Sequence, residues 1–191
     1  MKAIPETGTA WVVDPIDGTN NYVRELQTWA TVVACVVDSE PVAAANALPA
    51  LDTVYTADGE GAYRNGHSVE VTETTDSERA TITPTIRWER NRRDEHTRAC
   101  QAIVKRFGDL RRPGCAQCAL ANLAAGSVEG VITNGRTNPW DIVAGVHLVR
   151  QAGGTVTDLE GERWRHDDRG LDELLAVVRA IDSKPSLSRA R

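Results

Sequence analysis

The chain has 191 residues, 41% of them hydrophobic, enough for one core-bearing domain, and its composition excludes a disordered or fibrous protein. A formal net charge of −5 argues against general nucleic-acid or anionic-membrane binding. No stretch is apolar and long enough to span a bilayer, and the first residues lack the basic and apolar regions of a signal peptide, so the expected location is cytoplasmic.

Met1 to Thr9 reads as a polar lead-in with Pro5 and Gly8, followed by a first strand over Trp11 to Asp14. That strand ends in Trp11-Val12-Val13-Asp14-Pro15-Ile16-Asp17-Gly18-Thr19. The pattern is a β-branched run breaking into a tight turn that can aim two carboxylates at one point. Asp14 and Asp17 are hard oxygen ligands of the kind Mg²⁺ prefers, and Ile16 adds a carbonyl between them. The N–H groups of Gly18 and Thr19 offer an anion-binding nest. An Asp-rich turn that merely caps a helix is the plainer alternative.

A helical turn near Asn20 to Arg24 is expected next. A buried strand over Thr28 to Val37, a hairpin at Asp38-Ser39-Glu40-Pro41, and strands over Val42 to Leu48 and Thr53 to Ala57 follow. Asn65-Gly66 is a strong hairpin signal and leads into a strand over Val69 to Thr72. Polar Thr74 to Arg79 marks a boundary, dividing the chain into a sheet sub-domain over 1–78 and an α/β sub-domain over 79–191. In the second part we expect a strand over Ala80 to Thr83, a loop over Pro84 to Asn91, and an amphipathic helix over Arg93 to Phe107 with Ala99, Ile103 and Phe107 on one stripe. Arg87, Arg90, Arg92 and Arg93 form a solvated face by default, or an anion-attracting one. A strand over Asp109 to Arg112, a helix opened by Gly114-Cys115-Ala116, and a strand near Val131 come next.

Pro139 starts a helix with Asp141 in its first turn, where the helix dipole welcomes a carboxylate, and Gly153-Gly154 ends it before a strand over Thr155 to Asp158. Leu174 to Ala180 reads as a last strand. The alternation of strand and helix predicts a layered α/β fold. Of Cys35, Cys100, Cys115 and Cys118, the last two have the spacing of a redox pair at a helix N-terminus, where a thiol pKa is lowered; reduced core thiols are the plainer reading.

Taken together, the Asp14-Pro15-Ile16-Asp17-Gly18-Thr19 loop, the Gly114-Cys115 helix start and the Pro139-Trp140-Asp141 helix resemble the inositol monophosphatase family, within the lithium-sensitive, Mg²⁺-dependent sugar phosphatases. The resemblance covers roughly Trp11 to Asp158. It implies the sugar-phosphatase fold, an α+β sandwich of alternating helix and sheet layers, here without its leading helices and without a closing helix in the tail. It further implies a homodimer that hydrolyses a small phosphorylated sugar or polyol. By resemblance, Asp14, Asp17, the Ile16 carbonyl and Asp141 bind Mg²⁺, Gly18 and Thr19 hold phosphate, and Thr19 orients the water. Asp141, Cys115 and Asn134 face the substrate, Cys115 where the family carries serine and Asn134 where animal enzymes carry glutamate.

The family also has a Gly-Glu-Glu element some twenty residues before the loop, with a metal-ligating glutamate and an upstream aspartate that helps activate water. Nothing here matches it. Glu6 precedes Asp14 by eight residues, about 26 Å when extended, and only a chain reversal at Pro5 to Gly8 would return it. Two expectations follow: a phosphatase whose true reading frame starts further upstream, or a non-catalytic remnant that binds phosphate or a partner and leaves one sheet face uncovered.

Overall fold

Strict alternation of buried and exposed side chains builds the first half. In the computed structural model, which describes residues 4–86, 90–134, 138–158, 161–164 and 173–177, six antiparallel strands form a meander in the order β1 to β6. They are β1 (Thr9–Asp17), β2 (Ala30–Val37), β3 (Glu40–Leu48), β4 (Thr53–Ala57), β5 (Ala62–Arg64) and β6 (His67–Val69), with a short helix α1 (Thr19–Val23) after β1. The hairpins sit where left-handed backbone is found: Asp38 and Ser39 join β2 to β3 at φ 48° and 67°, and Asn65 and Gly66 join β5 to β6 at φ 48° and 80°. Those pairs suit turns whose twist matches the flanking strands.

Ala30, Val32, Ala34 and Val36 of β2, Ala44, Asn46 and Leu48 of β3, and Tyr55 and Ala57 of β4 face inward and are buried. The opposite face carries Trp11 at 68% exposure, Val13 at 52% and Val54 at 43%, so the predicted uncovered apolar face is present.

The second sheet runs β10-β11-β9-β7-β8, with β7 (Thr81–Ile86), β8 (Asp109–Leu110), β9 (Gly130–Asn134), β10 (Thr155–Thr157) and β11 (Glu173–Val177). β7 is parallel to both β8 and β9, and the other pairs are antiparallel. The helices are α2 (Arg93–Arg106), α3 (Ala116–Ala124) and α4 (Pro139–Gln151). α3 and α4 pack on each other and lie between the two sheets, touching β1 to β5 on one side and β7, β9 and β10 on the other. α2 covers the far face of the second sheet, where Ile103 meets Ala80, Ile82 and Ile132. Leu120, Leu123, Ile142, Val143 and Leu148 fill the middle layer, each worth ~1.5–3 kcal/mol when taken from water.

Two expectations fail locally. Pro84 to Ile86 belong to β7 rather than to a loop. β8 pairs only with Thr81 and Ile82, so beyond that point β7 has one free edge, where a proline costs no ladder hydrogen bond. The predicted strand over Val69 to Thr72 is instead the last residue of β6 followed by irregular chain. Arg87 and the tail over 178–191 lie outside the described residues.

Candidate active site

Residues three apart on a regular strand point to opposite faces, so Asp14 and Asp17 should not converge. They nevertheless share the inner face, because the register slips between them: Asp14 pairs with Val32 and Asp17 with Ala30. The extra residue on β1 is a bulge that returns Asp17 to the inner face, and Pro15, which has no N–H to offer a ladder, lies within it. Asp14 is buried and accepts the Ile16 N–H at 3.0 Å. Gly18, at φ 81° and ψ 35°, turns the chain into α1. Thr19 Oγ1 donates to the Ile16 carbonyl at 3.0 Å, pinning that oxygen beside the two acids.

The loop is bolted to the start of α3. Asn21 Nδ2 donates to Thr28 O at 2.6 Å and Pro113 O at 2.7 Å, and Thr28 Oγ1 also donates to Pro113 O at 2.9 Å. Cys115 is then the N-cap: its sulfur accepts the Cys118 N–H at 3.2 Å and its thiol donates to Asp17 Oδ2 at 2.8 Å. The Gln117 N–H donates to the same oxygen at 2.7 Å. Asp17 thus sits at the positive end of α3. Burial raises its pKa, the Cys115 and Gln117 donors oppose this, and Asp141 raises it further.

Cys115 departs from the redox reading. Its thiol is pushed far above the ordinary range, by burial first and then by the Cys118 thiol and the Asp17 charge. A buried thiol facing a carboxylate stays protonated and acts as a donor, which outweighs the helix N-terminus. All four cysteines are free thiols.

Asp141 Oδ2 accepts the Asn138 N–H at 2.8 Å and Asn138 Nδ2 at 3.0 Å. The capping role is therefore real, and Asp141 also joins the acids of the loop. Burial raises the Asp14 pKa, the Ile16 N–H opposes this, and the charges of Asp17 and then Asp141 raise it. Among the described residues, however, no three acidic, imidazole or thiol groups form a ready metal cage. The expected common point is not preformed, because each carboxylate is turned to a donor of its own: Ile16, Cys115 with Gln117, or Asn138. Two carboxylates, Asp14 and Asp17, whose pKa the Asp141 charge helps to raise, with the Ile16 carbonyl between them, suit a hard cation bound partly through water.

A profile of the inositol monophosphatase family matches residues 1–181. The chain belongs to the inositol monophosphatase family. It is 35% identical over 180 residues to the fructose-1,6-bisphosphatase/inositol-1-monophosphatase of Thermotoga maritima, covering 90% of this chain and 68% of that one. It is 34% identical over 171 residues to the Nus factor SuhB of Xylella fastidiosa, covering 88% and 62%. The solved inositol monophosphatase of Thermotoga maritima superposes with a TM-score of 0.81 at 31% identity, covering 92% and 66%. The chain thus spans about two thirds of the length of these relatives, which belong to a family of phosphoric monoester hydrolases with the layered α/β sugar-phosphatase fold.

Among the expected site residues, Cys115 meets Asp17 and Thr19 meets Ile16 directly, while Asp141 lies on α4, which packs on β1, and its charge acts on Asp14 and Asp17. Asn134 ends β9 beside Ile86 and Glu173; residues 135–137, between it and Asn138, lie outside the described set. Glu6 is at the wrong end of β1: the lead-in is tied to the Asp38-Ser39 turn by Gly8 N–H to Asp38 Oδ1 at 2.8 Å. Asn21, Thr28, Asn46 and Gln117 were missed. Asn46 and Gln117 carry the weak signal of a polar residue in an otherwise buried phase of a strand or helix; Asn21 and Thr28 carry none.

Proposed function

We propose that this chain carries out Mg²⁺-dependent hydrolysis of a small sugar or polyol phosphate monoester, with inositol 1-phosphate and fructose 1,6-bisphosphate as the first substrates to try. The observation that supports the reading is that the charge of Asp141, remote in sequence, acts on both Asp14 and Asp17 of the loop. Asp14, Asp17, the Ile16 carbonyl and Asp141 would hold the metal. When bound, Mg²⁺ supplies neutralisation of the phosphate charge and a more acidic water. The protein's own residues position and orient. Gly18 and Thr19 present N–H groups to the phosphate, and the Thr19 hydroxyl, held on Ile16, directs the attacking water. Cys115 and Gln117 fix Asp17, so Cys115 serves the reaction through the carboxylate it bonds. Asp141 and Asn134 face the departing alcohol. We take the protein to act in the cytoplasm as a homodimer, without nucleic acid or membrane.

A second reading, phosphate or partner binding without turnover, is favoured by one observation: no ready metal cage exists among the described residues. Phosphate release from both esters, with and without Mg²⁺, separates the two. Wild-type protein should release phosphate only with Mg²⁺, and Asp141→Asn should lose ~10²–10⁴ of the rate. Mg²⁺ binding with no release from either ester would favour the second reading.

A further inference from the structure

Gln117 is fully buried at 0% exposure, as is Asn46, and the two side chains are joined by Asn46 Nδ2 to Gln117 Oε1 at 2.8 Å. Gln117 links two of the acidic positions directly. Its main-chain N–H holds Asp17 Oδ2 at 2.7 Å. Its side-chain Nε2 donates at 3.2 Å to the carbonyl of Trp140, the residue before Asp141. Through Asn46 it reaches the row of the sheet that contains Asp14, because Asp14 pairs with Val32 and Val32 with Asn46. That places Asn46 on the same inner face as Asp14, two strands away, ~10 Å.

The helices are shaped to admit this amide. A Cβ on Gly145 of α4 would lie 2.8 Å from Gln117 Oε1 and 2.5 Å from Leu120 Cδ1, so only glycine lets α4 come close enough for the bond to Trp140. The pair is also a poor choice for stability alone. Asn46 Oδ1 is buried without a partner among the described residues, and replacing both members of a half-satisfied buried pair with apolar groups of the same shape is usually neutral or favourable. A costly polar link from Asp17 to the residue before Asp141 is explained by its position.

We propose that Gln117, oriented by Asn46, is a positioning residue that sets the spacing between Asp17 of the loop and Asp141 of α4. Its cation readout rests on the reading of those acids as a Mg²⁺ site; its exchange readout does not.

The test compares wild type, Gln117→Met, and the double variant Asn46→Leu with Gln117→Met. The single variant strands the Asn46 amide and should lower the urea midpoint, whereas the double variant should recover it. In both variants, amide exchange over 138–144 should quicken about five- to tenfold, the worth of one lost hydrogen bond, with α2 unchanged. The Mg²⁺ concentration that half-saturates a thermal shift should rise about tenfold in both, even where stability is recovered. A double variant with wild-type exchange over 138–144 would overturn the proposal, since the link would then be structural only. Faster exchange in both variants, with no Mg²⁺ response even from wild type, would uphold the positioning role and remove the cation reading instead.

Discussion

Gly18 tests how tightly the acidic loop is seated. Its φ of 81° is left-handed, and a side chain there costs ~1–2 kcal/mol. A Cβ would also stand 2.9 Å from Cys115 Cβ and 3.2 Å from the Thr28 carbonyl, and overpacking of that kind adds ~1–3 kcal/mol. Gly66 is the control, because it has nearly the same φ of 80° with nothing within 4 Å of its notional Cβ. Gly66→Ala should therefore lose ~1–2 kcal/mol of unfolding free energy, from strain alone, and keep full phosphate release. Gly18→Ala should lose ~2–5 kcal/mol. If the loop backs away to relieve the contact, Asp17 is drawn off the Cys115 and Gln117 donors at 2.8 and 2.7 Å, so Mg²⁺-dependent kcat/KM should fall as well. The blocking atom is a Cβ, so Cys115→Ala should not rescue Gly18→Ala, while Cys115→Gly should restore the packing part. Urea melts of the two alanine variants decide it. Equal losses for Gly18→Ala and Gly66→Ala would show that the loop is not seated against α3.

Local chemistry made the frame legible. Asn65-Gly66 and Asp38-Ser39 mark turns because few residues adopt left-handed backbone cheaply, and β4 was predicted over the residues it occupies. The start of α4 was equally readable, since proline at its first position and an acid in its first turn are local preferences. What could not be read depends on partners remote in the chain. The bulge that turns Asp17 inward is visible only against β2. Pro84 looked like a strand breaker because the shortness of β8, which frees that edge, is a property of another segment. The place of Cys115 on α3 leaves an acidic thiol open beside the plainer reading of a reduced core thiol, and burial against Asp17 decides for the second. Asn46 and Gln117 find each other across 71 positions of sequence; each alone looks like a polar residue spoiling an apolar run.

Titration of the site and of the core should run in opposite senses. Asp14 has its pKa raised above 3.8, chiefly by burial, so the unfolded chain gives up that proton first and stability falls as pH climbs from 3.8 through the folded value. At pH 7 the charged Asp14 is then a cost that a cation relieves. Asp14→Asn, which keeps an oxygen for the Ile16 N–H, should raise the metal-free melting temperature at pH 7 and abolish the Mg²⁺-induced shift; a lower melting temperature with the shift intact would refute this. His147 behaves in reverse. It is 4% exposed, its Nε2 has no partner, and its pKa is lowered below 6.5 by burial and then by Arg150, against weaker opposition from the Val42 backbone and Asp58. The folded protein holds it neutral while the unfolded chain takes up a proton, so its contribution is complete above pH ~6.5 and is lost as pH drops toward the folded value. Urea midpoints measured from pH 8 down to 5 should decline for wild type and flatten for His147→Gln, and parallel declines in the two proteins would assign the acid sensitivity to other groups.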